Sequence, residues 1–161
     1  MTRLVVGAMA GICATMVMTI AMRRGYEHLP KEQQYPLPPA EIAAELGMSE
    51  INLADRALLM HAAFGSVAGA LYAAFPIKIA GGAYGAAVWA ISYLGWLPAL
   101  GLLRTATRHP VRRSILMLAA HVVWGSALSK LVDELEIAQA TAFADGRMAD
   151  RSGGPLELNR R

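Results

Sequence analysis

The stretch ALLMHAAFGSVAGALYAAFPI, residues 57–77, decides how the rest of the chain is read. It is 21 residues long, holds no Asp, Glu, Lys or Arg, and is interrupted only by His61. At 1.5 Å of rise per residue, a run of this length crosses a hydrocarbon core of about 30 Å as one helix. Three further blocks have the same character: residues 4–22, residues 79–103 and residues 114–132. The last is uncharged to Ser129 and reaches Val132 when Lys130 extends its ammonium to the headgroups. The expectation is therefore an all-α fold, an integral membrane four-helix bundle in residues 1–134, with an ordered surface loop at 23–55. The polar stretch 135–161 is expected to be a disordered C-terminal tail.

Composition agrees with blocks rather than with a soluble globule. Of 161 residues 55% are hydrophobic and 17% charged, and the mean hydropathy is +0.38. The net charge of +3 and pI near 9.3 raise the question of nucleic acid. Arg23, Arg24, Arg104, Arg108, Arg112 and Arg113 all flank spans, however, where they meet lipid phosphates, so the bilayer is the expected partner and nucleic acid is not. The first block is read as a retained span rather than a signal peptide. No small-x-small site lies at a suitable distance before Arg23, and Ile12 before Cys13 does not suit a lipoprotein site. Cys13, alone, forms no internal disulfide.

The first connection carries YPLPPAEIAAELG. Pro36, Pro38 and Pro39 predict an extended entry, and Ala40–Leu46 a short helix along the membrane surface with Gly47 as its C-cap. Ser49 is the expected N-cap of the helix leading into the second span. A tight hairpin around Pro76 and Lys78 and a short basic connection, TATRHPVRRS, complete the chain. Charges near the spans place the arginine-bearing connections inside and both termini outside.

Each span has two small residues four apart: Gly7 and Gly11, Gly65 and Gly69, Gly81 and Gly85, Gly125 and Ser129. In lipid, helix association depends on close backbone approach, which small residues at this spacing permit. They serve a compact bundle, a homo-oligomer or a larger membrane complex equally well. The pattern of the second span recurs 60 residues on, as HVVWGSALS from His121. His61, Gly65 and Gly69 share one helix side, and His121, Gly125 and Ser129 do the same, which reads as two similar helical hairpins.

The two histidines are the main chemical candidates, because an ionisable group inside a span is expensive. Three readings stand. Each imidazole donates to a carbonyl or hydroxyl of a neighbouring helix, such as Thr15, Thr19, Ser66 or Ser126. Alternatively the pair handles protons, or it ligates a haem or another metal. Met9, Cys13 and Met16, with Met18 and Met22 beyond, are soft donors that suit Cu(I), although methionine also fills gaps. Tyr84, Trp89, Tyr93 and Trp96 suit packing and anchoring, and Pro98 is expected to kink or end its helix. No hydrolase elbow, phosphate loop, dinucleotide fingerprint or zinc pattern is present.

The glycine-rich first span, PLPPAEI, HAAFGSVAGALY, GGAYGAAVWAISYLGWLP and AHVVWGS together resemble the YagU-like bacterial inner-membrane proteins, across residues 4–132. The resemblance implies a multi-pass inner-membrane helical protein and carries no catalytic residue with it. The expected function is non-enzymatic and without a cofactor: pH-linked proton or small-solute permeation, or acid tolerance, through His61 and His121. The alternatives are a structural or assembly subunit and a small haem or copper redox protein.

Overall fold

A computed structural model of the protein describes residues 2–47, 52–77 and 79–151, with side chains through Thr141. Every regular element in the described residues is helical. Helix α1 is Arg3–Glu27, α2 Pro38–Glu45, α3 Leu53–Ala74 and α4 Gly81–Ala90. A π-helical stretch, Ile91–Trp96, joins α4 to the single turn of α5, Leu97–Ala99, and α6 is Val111–Arg151. Among the described residues three segments are long and apolar enough to cross a membrane: Arg3–Glu27, Leu53–Ala74 and Val111–Thr141. Their outward faces carry Ile20, Leu59, Val67, Leu71 and Ile115, each more than half exposed. These are the surfaces of a membrane protein, since hydrocarbon is the only solvent that welcomes them.

The block expected as the span at 79–103, with a kink or an end at Pro98, is interrupted. Pro98 has no N–H to offer the carbonyl of Leu94, and its ring crowds that carbonyl. The backbone gives way next door, at Gly95, with φ −111° and ψ −107°. The helix widens to π geometry over Ile91–Trp96 and ends in the turn around Gly101, whose φ is +73°. The expected kink is thus present, with its distortion three residues before the proline. At the other end of the chain, α6 runs past residue 134, where a disordered tail was expected, to Arg151. Glu134 to Ala140 are mostly strong helix formers, and no glycine or proline interrupts them.

Within the connection, the short helix begins earlier than the sequence suggested. Leu37 is extended (φ −74°, ψ 153°), but Pro38 and Pro39 already occupy the first turn of α2. There a missing N–H has no consequence. Gly47 follows the helix at φ +69°, the left-handed conformation that suits glycine in a C-terminal cap. Ser49 and Lys78, assigned roles above, lie outside the described residues; α3 begins at Leu53 after Asn52.

Glycines determine which helices meet. A Cβ on Gly7 would overlap the Gly69 carbonyl oxygen, and one on Gly11 the Gly65 carbonyl oxygen, so α1 and α3 run antiparallel in backbone contact. The same holds between α4 and α6, where Gly81 meets Gly125 and Ser129, and Gly85 meets the His121 carbonyl. Helix α1 also packs on α6. There Trp124 Nε1 donates to Thr15 Oγ1 at 3.2 Å, and Thr15 Oγ1 donates to the Gly11 carbonyl at 2.8 Å. Between α3 and α4 the filling is aromatic instead. Tyr72 and Tyr84 meet as tilted rings with centroids 5.0 Å apart, Phe64 and Trp96 likewise at 6.1 Å, and Tyr84 donates to the Ala68 carbonyl at 2.7 Å.

Candidate functional site: an intramembrane cavity with two histidines

Going up α1 from Gly7 towards the loop, the small residues stop and Met18 and Met22 take their place. The helices are held apart there, and a cavity of about 200 Å³ opens between α1, α3, α6 and the π-helical stretch, with α2 as its roof. His61 and His121 both line it. The structure therefore brings the two candidate residues together, although 60 positions separate them. Met18, Met22, Met60 and Met117 supply much of the apolar wall, and Pro38, Pro39 and Ile42 of the loop close the top.

The imidazoles do not bond as the sequence suggested. His121 Nδ1 lies 2.8 Å from the Met117 carbonyl of its own helix, which makes Nδ1–H the donor and leaves Nε2 as an acceptor in the neutral ring. Its ring meets Tyr93 edge-on at 6.4 Å. Thr15, offered as a cross-helix partner, takes Trp124 instead, and Thr19 donates to the Thr15 carbonyl at 2.8 Å. Among the described residues His61 has no hydrogen-bond partner, nor does the hydroxyl of Ser92, which is 5% exposed. The Tyr93 hydroxyl is buried and likewise unpartnered. An unpaired polar atom in the interior is costly, and Tyr93, which carries one, lines this cavity.

Ser92 and Tyr93 reach it because the π-helical stretch inserts an extra residue per turn and rotates both inward. Such bulges recur at functional sites. Sequence reading placed Tyr93 in packing and anchoring and gave Ser92 no role. The usable signal was Gly95 followed three residues later by Pro98, which marks a helix that cannot hold α geometry.

A second residue escaped the sequence reading. Arg113, taken above as one of several interfacial arginines, is 2% exposed. Its Nη1 donates to the carbonyls of Gln33 (3.3 Å) and Tyr35 (3.0 Å), and Nη2 donates to that of Pro36. Nη2 also lies 3.5 Å from Glu41 Oε1, and the guanidinium sits 3.6 Å above the Tyr35 ring. It is a clasp that ties the loop to the foot of α6. Arg113, Met117, Ala120 and Trp124 fall on one face of α6, and all are buried. Helical phase alone therefore separates Arg113 from its neighbour Arg112.

The clasp perturbs its ionisable members. Burial pushes the Glu41 carboxyl up from its usual value, with the Arg113 charge opposing. Burial likewise raises the Tyr35 phenol. His109 is held below its usual 6.5, by burial first and by the charges of Arg113 and Arg104 as well, against a backbone hydrogen bond that favours the charged ring. Its Nε2 lies 3.2 Å from the Arg104 carbonyl and its Nδ1 2.6 Å from the Tyr35 hydroxyl. The neutral ring with Nε2–H as donor and Nδ1 as acceptor satisfies both.

The soft-donor row of α1 does not converge. Met9 and Met16 are 46% and 39% exposed on the outer face, and Cys13 is exposed with them. Among the described residues no three of His, Cys, Asp and Glu come together as a metal site would require. Set against protein-family models, curated proteins and solved structures, the chain matches none.

Proposed function

We propose that this is a multi-pass bacterial inner-membrane protein of four spans, arranged as two similar helical hairpins, α1 with α3 and α4 with α6. Its working part is a proton-responsive intramembrane cavity. In this reading His61 and His121 act as a coupled pair, and the protonation of one changes the affinity of the other for a proton. The occupancy of the cavity changes with them. The observation that carries it is that both imidazoles line one cavity of about 200 Å³. Two imidazoles around a small dry volume must feel each other's charge, because little solvent screens them.

The glycine contacts favour a cavity over an open pore. Below the histidines, backbones touch at Gly11 and Gly65 and at Gly85 and His121, which leaves no room for a water column along either seam. The reading is non-enzymatic, and it keeps the topology in which the arginine-bearing connections face the cytoplasm.

The test is a pH titration of ring resonances from selectively labelled histidine in lipid nanodiscs. In the wild type the two buried rings titrate together, and His61→Gln moves the His121 midpoint by about one pH unit or more. Rings that titrate independently, each unchanged when the other is replaced, would end the proposal.

A further inference from the structure

The cavity is not closed on its α3–α4 side. A groove of about 460 Å³ runs between these helices, lined by Val67, Ala68, Leu71, Ala87 and Ile91 among others. Phe64, Ser92 and Trp96 line both the groove and the histidine cavity. The two spaces are therefore neighbours, and the tilted Phe64–Trp96 ring pair stands between them. Helices α3 and α4 can leave this gap because neither presents its glycines to the other. Gly65 and Gly69 face α1, and Gly81 and Gly85 face α6.

We propose that the groove and cavity together bind one long-chain carboxylic acid that enters sideways from the bilayer, its chain along α3 and α4 and its head at the histidines. This rests on the cavity reading above and gives it a ligand. Three observations select this occupant. The lips of the groove, Val67, Leu71 and Ile91, are 62%, 56% and 66% exposed and wholly apolar, so in a membrane only hydrocarbon reaches them. From His61 to Phe75 the helical rise spans about 21 Å, enough for a chain that fills one leaflet of a core about 30 Å thick. At the inner end wait groups of complementary kind: the Nε2 of His121 and the His61 ring as acceptors, and the Ser92 hydroxyl and the unpartnered Tyr93 hydroxyl as donors. A protonated carboxyl presents one O–H and one carbonyl oxygen, and so answers both kinds at once. No lysine or arginine lines either space. A phosphate headgroup would find no cation there, and a second chain would find no second groove among the lining residues.

The experiment uses the full chain in nanodiscs and palmitic acid bearing a photoreactive diazirine in mid-chain. The same diazirine chain esterified in a phosphatidylcholine serves as comparison. Irradiation is expected to label peptides covering residues 64–75 and 84–96, and unlabelled palmitic acid to suppress that label. Ala87→Phe, at an exposed groove position where folding is little affected, is expected to reduce it about tenfold by occupying the chain's place. Ser92→Ala should weaken palmitic acid labelling and leave the phosphatidylcholine pattern unchanged.

Labelling by both probes that palmitic acid does not suppress and Ala87→Phe does not alter would overturn the proposal, since the groove would then be ordinary lipid-facing surface. The histidine titration separates this failure from that of the cavity reading. Coupled rings without competitive labelling leave the proton-responsive pair standing and remove the fatty acid. Competitive labelling with uncoupled rings supports the acid-binding groove and removes the pair.

Discussion

The lower and upper halves of the same helices are built on opposite principles. In the lower half, Gly7 and Gly11 press against Gly69 and Gly65, and Gly81 and Gly85 against Gly125 and the His121 carbonyl, backbone on backbone. In the upper half, Met18, Met22, Met60 and Met117 stand where glycines would have been, and the helices enclose a cavity. What holds the upper half is polar: the Arg113 guanidinium and three loop carbonyls. Side-chain size along one helix face thus sets how far apart the helices lie. The site arises where that size increases.

The largest effect is expected at the Arg113 clasp of the upper half. Arg113→Ala removes the partner of Glu41 and of the Gln33 and Pro36 carbonyls, the Tyr35 carbonyl keeping the Tyr26 hydroxyl, and a broken buried ion pair costs about 3–5 kcal/mol. Thermal unfolding in detergent should show the loss, and limited proteolysis should cut between residues 28 and 37. Arg113→Lys is expected to restore little, because an ammonium cannot present a planar fork to several acceptors. A lysine variant of wild-type stability would reduce the clasp to a simple charge.

The lower half breaks by overpacking instead. Gly11→Ala places a methyl group against the Gly65 backbone, and the expected loss is about 1–3 kcal/mol. Gly82→Ala, on the same helix as the seam residue Gly81, is the control. Its Cβ would find no atom closer than 3.3 Å, the hydroxyl of Ser126, so little change is expected. Equal destabilisation by the two variants would mean that helix flexibility, and not the seam, explains the glycines.

The smallest effect concerns pH at the clasp. His109 is held below its usual 6.5, so its folded form binds fewer protons than its unfolded form. The stability it lends is complete above about 6.5 and is lost as pH falls through the depressed folded value. Glu41, raised by burial, has the opposite sign: its share is present below its usual 4.5 and is lost as pH rises through the folded value. Comparison with His109→Gln isolates the histidine. Amide exchange in residues 31–37, corrected for its intrinsic rate, should quicken on acidification in the wild type and much less in the variant. Parallel pH profiles would show that the ring at 109 is not the group responsible.

Reading the residues in order recovers much of this and misses the rest for identifiable reasons. Charge-free runs reveal the helices, because the hydrocarbon core imposes a minimum length that sequence displays directly. Glycine spacing reveals that backbones approach, but not which: Gly7 could have met another copy of the chain as readily as Gly69. The break in the third block was partly legible in Pro98, while its place at Gly95 depended on where the chain could relax. Arg113 looked like Arg112 until helical phase turned one inward.

The sequence by itself determined a helical membrane protein built from long charge-free blocks, four of them read as spans, the capacity for close packing at four small-residue sites, and two histidines at matching places in two similar stretches. Those properties are local, set by hydropathy, length and side-chain volume over a few turns. Only the tertiary structure decided that α1 pairs with α3 and α4 with α6, that His61 and His121 line one cavity, and that Arg113 fastens its roof. Such outcomes depend on the relative rotation of helices far apart in the chain. That rotation is settled by the best packing of all of them at once, which no single stretch encodes.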